Sequence, residues 1–452
     1  MITKPIILTF SLVKRKINIL DYYCFYMSVK STVALVNAGI IDGTGRQPIM
    51  NGVLVISGKR IVDVGTEGSV SIPEDARIVD LKGMYILPGL IDAHLHLLGM
   101  RTGDLVKEPL TTPYEVFVAR VINDLKELVN AGFTTVGDAG SLIAINLKQA
   151  VDEGSIVSPR IIASGYVLSQ TFGHGDIHYL PIDYVDARTS RKTYPLGSLI
   201  CDGVDECRKA ARYALRAGAD FIKVMATGGV LSQRDRPEYV QFTLDELKAI
   251  VEEAEHAGRF VHAHAEGSKG IVNAVKSGIK IIAHANLIDD EGIQIIKENN
   301  GIIIPTFSVV ENILEYGEEV GIPKWGLEKC RELHEVHVEN MRKTYRAGVK
   351  IATGTDFIGG YKAFKHGDNA LEIFLLVKRI GMSPMEAIVS ATRNASEAIG
   401  LEKYIGTLEP GKLADLIVVN SNPLNNIEVL MDKSRIIAVI KEGVNLKGSL
   451  IS

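Results

Sequence analysis

Between residues 90 and 356, short apolar runs alternate with amphipathic stretches, and that rhythm leaves few folds open to the chain. The runs are GLIDAHLH (90–97), TTVGDAG (134–140), RIIASG (160–165), FIKVMATGG (221–229), FVHAHAEG (260–267), KIIAHAN (280–286), GIIIPTFS (301–308) and KIATGTD (350–356). Stretches between them, such as ECRKAARYALRAG and LDELKAIVEEAEHAG, carry helical periodicity and end in glycine, as helices often do. Eight strands alternating with helices predict an α/β fold, a (β/α)8 TIM barrel. A doubly wound open sheet is the competing arrangement, but no GxGxxG follows the first run.

The two ends of the chain read differently. VALVNAGIID, GVLVISGKRIVDVG and ARIVDLKGMYIL before the barrel, and IGTLEPGKLADLIVVNSNP and RIIAVIKEGVNL after it, are strand-like runs separated by turn residues. The first group is too small to bury a core alone. The ends are therefore expected to combine into a small flanking β-sandwich domain, residues 30–86 with 404–452, beside a barrel at 87–403. Residues 1–29 read as a disordered extension, or as a start placed too early with Met27 as the first residue. Its apolar run, Ile6 to Val13, is too short to span a bilayer, and no small-x-small cleavage site follows.

A chain of 452 residues, 46% hydrophobic and 23% charged, with formal net charge -4, suits a soluble enzyme. Mild acidity argues against nucleic acid or an anionic membrane as the main partner. Cys24, Cys201, Cys207 and Cys330 form no CxxC pair, which disfavours a disulfide framework or a zinc ribbon and makes a reducing cytoplasm the expected location.

Polar residues gather at the carboxyl ends of the runs, where a barrel carries its active site. The first run offers His94 and His96, which share a face because residues i and i+2 of a strand do. The fourth offers Lys223, the fifth His264, the sixth His284 and the eighth Asp356. Singly, each has an ordinary use: a histidine satisfied in a core, an aspartate capping the next segment. Together on one barrel they favour metal ligation. Lys223 sits among apolar neighbours in FIKVM, where an unpaired buried charge is costly. Staying neutral relieves that cost. A neutral amine can capture CO2 as a carbamate, an anionic two-oxygen ligand able to bridge two metals. Schiff-base chemistry is the other use of such a lysine, but it needs no surrounding histidines. Two divalent cations are offset in part by the carbamate, Asp356 and a bridging hydroxide, leaving positive charge to polarise a carbonyl. A metal pair about 3.5–4 Å apart can bring the pKa of bound water to about 7. Nitrogen and carboxylate ligands suit Zn2+, with manganese, iron and cobalt open.

PGLIDAHLH, HAEG, GTD and GTLEPGKLADLIVV, in this order, resemble the amidohydrolase superfamily from about Val33 to the C-terminal sheet. GADFIKVMATGGVLS with FGHGD, and HGDNALEI (366–373) just past Asp356, are similar to its branch of prolidase-like dipeptidases and N-acyl amino acid hydrolases. The resemblance implies one metal on His94, His96 and Asp356, a second on His264 and His284, and carboxylated Lys223 between them. Asp356 would take the proton of the attacking metal-bridging hydroxide and pass it to the departing amine. His174 of FGHGD would contact the substrate's carbonyl or carboxylate. Arg234, Arg236 and Tyr239, after the fourth run, are candidate partners for a substrate carboxylate or else solvated loop residues. Relatives often carry GGHGD where Phe172 stands here, and Arg where Gly137 stands, which puts substrate preference in question and not the core chemistry.

The expected function is binuclear metal-dependent hydrolysis of the amide bond of a dipeptide (Xaa-Pro-like) or an N-acyl amino acid, by a chain that assembles with copies of itself as its relatives commonly do. A lactonase or phosphotriesterase would use the same centre. A deaminase of this superfamily usually has a glutamate three residues after the fifth-strand histidine; Gly267 stands there and Glu266 falls one short. A Schiff-base lyase would rest on Lys223 alone.

Overall fold

The computed structural model describes residues 32–190, 194–360 and 362–451. The extension expected at 1–29 lies outside the described residues.

The eight runs form parallel strands in the expected succession. Leu90–Leu95, Phe133–Asp138 and Arg160–Ala163 pair in a three-stranded sheet. Tyr166–Ser169, Ile222–Met225, Val261–Gly267, Ile281–Leu287, Ile302–Ile304 and Lys350–Ile351 follow one another in a seven-stranded sheet, with Gly197–Ile200 added at its edge. These strands are buried almost throughout, which is why they read as continuous apolar runs rather than alternating ones.

The third run is longer than its sequence suggests and is interrupted. Its first half ends at Ala163 and its second begins at Tyr166, so one stretch of chain serves both parallel sheets. Gly165 makes the break with a φ of +68°, and a Cβ there would lie 2.7 Å from the Ile145 side chain. At the opposite join, backbone N–H groups of Ala93, His96 and Asp356 donate to the carbonyls of Thr353, Phe357 and His94 at 2.9, 2.8 and 2.7 Å, tying the last run to the first.

The helices form as their periodicity requires. Val204–Arg216 buries Cys207, Ala210, Ala211 and Ala214, one stripe at helical spacing. Leu244–His256 starts with a capping box between Thr243 and Glu246. None of the described helices is long and apolar enough to cross a membrane.

The chain ends do combine: hydrogen bonding joins them into one continuous eight-stranded sheet. Leu416–Val419 pairs antiparallel with Tyr85–Pro88, and Ile436–Lys441 and Val444–Lys447 extend that side. Thr32–Ile40, Ile49–Ser57 and Arg60–Thr66 extend the other. Leu35, Leu54, Ile86, Leu416 and Ile440, none more than 1% exposed, belong to this sheet's own apolar cluster. Arg160 anchors it to the parallel strands through Asp415 at 2.6 Å and Glu442 at 2.9 Å.

Candidate metal centre

His94, His96, Lys223, His264, His284 and Asp356 all line one cavity of about 170 Å3 at the carboxyl ends of the parallel strands. Asp356 Oδ1 lies 3.3 Å from His94 Nε2 and 3.2 Å from His96 Nε2. Lys223 Nζ is 3.4 Å from the same His94 nitrogen. The rings of His284 and His94 are 5.2 Å apart, and those of His284 and His264 4.5 Å.

A histidine presents one lone pair to a metal when its other nitrogen is held elsewhere. All four histidines are held in this way. His96 Nδ1 donates to the Gly140 carbonyl at 3.0 Å, and His264 Nε2 donates to that of Gly228 at 3.0 Å. His284 Nδ1 meets the Thr306 hydroxyl at 2.8 Å, and His94 Nδ1 meets His262 Nε2 at 3.0 Å. Each ring therefore keeps one nitrogen free, and for His94 and His96 that nitrogen faces Asp356.

The electrostatics agree with a cation site. Burial pushes the pKa of His94 down to about 3, and those of His264 and His284 well below the usual histidine range. Burial lowers His96 as well, but hydrogen bonding and charge from Asp356 outweigh it and leave the pKa raised. Burial opposes the Asp356 carboxylate, yet bonds from His94 and His96 hold it well below its ordinary value. Burial lowers Lys223 to about 7. His94, His96 and Asp356 offer ligand atoms all within 4.8 Å of one another, so the residues present fit a divalent ion.

Backbone strain collects at the same place. His284, Thr306 and Asp356 have φ of 74°, 57° and 58°, a left-handed conformation uncommon for residues with a side chain.

The sequence-selected substrate contacts separate in space. His174 lines the cavity and stacks on His264 with ring centroids 4.2 Å apart. A Cβ at Gly229 would lie 2.4 Å from His174 and 2.9 Å from His264, so the second glycine of MATGG makes room for that stack. His174 Nδ1 is 2.8 Å from the Ser232 hydroxyl, which donates to the buried carboxylate of Asp235. Arg236 and Tyr239 do not reach the cavity. Arg236 is paired with Glu332 at 3.2 Å and Glu238 at 3.5 Å on the surface, and Tyr239 is 46% exposed. Arg234 is likewise exposed.

Several functional neighbours escaped the sequence reading. His262 precedes His264 by two residues, the same spacing that singled out His94 and His96, and that signal was available. Asn286 and Thr306 line the cavity with no motif of their own, and Glu266, the acid of HAEG, joins them there. HGDNALEI proves structural: His366 Nε2 donates to the His96 carbonyl at 3.1 Å, and Asn369 donates to Asp92 at 2.7 Å. Its Glu372 accepts the backbone N–H groups of Phe307 and Ser308 at 3.1 and 2.7 Å.

Known proteins are similar to this chain along nearly its whole length. Ochratoxinase of Aspergillus niger is 35% identical over 438 residues, 93% of this chain and 88% of its own. Its crystal structure matches with a TM-score of 0.82 at 34% identity, covering 93% of this chain and 96% of that one. A prolidase complexed with N-methylphosphonate-L-proline matches at 0.83 and 32% identity, covering 93% and 100%. An Xaa-Pro dipeptidase with methionine bound in its active site matches at 0.81 and 32%, covering 92% and 100%. The pattern of the Amidohydrolase family spans residues 85–446. With that pattern running from the first parallel strand to the C-terminal sheet and relatives this similar over nearly the whole length, the chain belongs to the amidohydrolase family and is a hydrolase of amide bonds.

Proposed function

We propose that the protein is a binuclear metal-dependent amidohydrolase that cleaves the amide bond of a dipeptide, Xaa-Pro-like, or of an N-acyl amino acid. The observation that carries this reading is Lys223. It is 1% exposed, stands 3.4 Å from His94 Nε2, and among the described residues forms no ion pair with a carboxylate. A lysine buried beside four histidines and lacking a counter-ion is a poor structural element, but as a carbamate it becomes a ligand. In this reading His94, His96 and Asp356 would hold one ion, His264 and His284 a second, and carboxylated Lys223 would serve both. Two divalent ions, Zn2+ by the donor set, supply hydroxide at neutral pH and polarise the scissile carbonyl.

The residues of the chain do the rest. Asp356, whose Oδ1 lies 3.3 and 3.2 Å from Nε2 of His94 and His96, takes the proton of the nucleophile and hands it to the departing amine. His174, with its Nδ1–H donating to Ser232 and that hydroxyl to Asp235, keeps Nε2 for the substrate, where as the imidazolium it donates to the carbonyl or carboxylate. The hydrogen bonds joining residues 93–96 to 353–357 support an eight-stranded closed barrel at 87–403, with residues 30–86 and 404–452 as the flanking sandwich domain. The dipeptidase and prolidase relatives, by their names, support the substrate class.

The test is removal and return of metal. Chelation in bicarbonate-free buffer should abolish turnover of a dipeptide and N-acyl amino acid panel, and Zn2+ with bicarbonate should restore it. Carbon-13 bicarbonate should then give a carbamate signal that Lys223→Met lacks. Full turnover by the metal-free protein, or restored activity without the carbamate, rejects the reading.

A further inference from the structure

Glu266 is an acidic group in the cavity that the hydrolytic reading leaves unused. It ends the strand Val261–Gly267, is 2% exposed and lines the cavity together with Asn286. Its Oε2 accepts the Asn286 side-chain amide, and its Oε1 lies 3.6 Å from His264 Nε2, beyond hydrogen-bond distance. That nitrogen already donates to the Gly228 carbonyl, so Glu266 is not what orients the ring. The Asn286 side-chain carbonyl, equally buried, has no hydrogen-bond partner. Glu266 also accepts the Val230 backbone N–H, so of the two groups it is the Asn286 carbonyl that is left without a donor, and a buried acceptor in that state calls for an explanation.

The neighbouring cation is committed elsewhere. Lys329 Nζ donates to the carbonyls of Gly229, Ser232 and Asp235 at 3.0, 2.8 and 2.6 Å and stands 3.8 Å from the Asp235 carboxylate. The adjoining wall is apolar: Cys330, whose thiol feels the Glu266 charge, is 3.6 Å from the Val310 carbonyl, and both residues line the cavity with Val230.

We infer that Glu266 and Asn286 form the subsite for the substrate's free α-ammonium group, so that the enzyme prefers dipeptides with an unblocked, apolar first residue over N-acyl amino acids. This rests on the amide-hydrolase reading and narrows it. An ammonium brings three N–H donors and a positive charge to a carboxylate and an amide oxygen. An acyl chain brings neither, and leaves the Asn286 carbonyl without a donor and the Glu266 carboxylate without a counter-charge. The reach is right. The α-nitrogen of the first residue is only about 2.5 Å from the scissile carbonyl carbon across two covalent bonds. Glu266 sits two residues beyond His264 on the same strand face, beside the place where that carbonyl must lie. The side chain of the first residue then rests against Val310 and Cys330.

The experiment compares leucyl-proline with isocaproyl-proline, identical except for the ammonium, on zinc-loaded full-length enzyme. The wild-type protein should favour the free dipeptide by about a hundredfold in kcat/KM. Glu266→Gln should shrink that ratio to within about threefold, mainly through KM for leucyl-proline, while still binding its metal by elemental analysis. Glu266→Asp, which keeps the charge, should retain part of the preference and serves if the glutamine variant does not fold. Equal turnover of the two compounds by wild-type protein overturns the inference, and so does an equal loss on both in Glu266→Gln. Hydrolysis of isocaproyl-proline alone would sink this inference and spare the amide-hydrolase reading. Hydrolysis of neither compound, nor of any amide in the wider panel, would sink both.

Discussion

The proposed ligand set depends on a residue outside it. His94 can offer Nε2 to an ion only while Nδ1 carries the proton, and His262, 3.0 Å away and wholly buried, is the acceptor that holds it there. Burial keeps the pKa of His262 far below the usual histidine range, so it stays neutral and able to accept. Replacing it by leucine should weaken Zn2+ binding by about ten- to a hundredfold, read by competition with a chelator. Unchanged affinity would show that the tautomer of His94 is set another way. Lys223 makes a second case. Its ammonium titrates near 7 in the fold against an ordinary value of 10.5. Between those values the unfolded chain holds the extra proton, so the metal-free protein should gain stability as pH rises from about 7 toward 10.5 and lose that gain as pH falls through 7. Urea midpoints of metal-free wild-type protein should show this slope, and Lys223→Met should flatten it. The six proposed ligands were legible because histidine, lysine and aspartate stood out at the ends of apolar runs. Their partners were not, since the carbonyls of Gly140 and Gly228 have no signature in a sequence.

At the scale of elements, one hydroxyl is asked to do two jobs. Thr306 is the N-cap of the helix Phe307–Tyr316, yet its side chain makes no capping bond because it is spent on His284 Nδ1. Glu372, from the helix Leu371–Ile380, supplies the cap instead, accepting from Phe307, Ser308 and the Ser308 hydroxyl. Burial lifts its pKa to about 7 in spite of those donors. Glu372→Gln should cost about 1–3 kcal/mol in urea unfolding, because an amide cannot accept all three. It should also lower Zn2+ affinity through the loosened Thr306–His284 contact. A stability change without any change in affinity would separate the cap from the site. HGDNALEI could be recognised as a motif from its letters alone. What it does could not, because its partners, His96, Asp92 and residues 307–308, are distant in the chain and meet only when the strands assemble.

At the scale of the molecule, the alternation of strands and helices was readable because parallel strands buried on both faces keep a strong apolar signal. The flanking sheet was readable only as strand content. Its order, in which Tyr85–Pro88 is sandwiched between Thr32–Ile40 and Leu416–Val419, depends on which edges meet, and short alternating runs do not encode that. The two parts are joined through Arg160, whose partner Asp415 has a side chain 2% exposed. Arg160→Met should leave that carboxylate buried without a counter-charge and cost about 3–5 kcal/mol, measured by chemical unfolding. A loss below 1 kcal/mol, the range of exposed pairs, would mean that water replaces the guanidinium.

The broken third strand has one more consequence. It contributes none of the proposed ligands, while the stretch that follows it supplies His174–Ile177 and Tyr194–Leu196 to the cavity wall. Apart from His174, inheritance can therefore rewrite this wall, residue by residue, and leave the proposed ligands untouched. A lineage built this way is equipped to change its diet without relearning its chemistry.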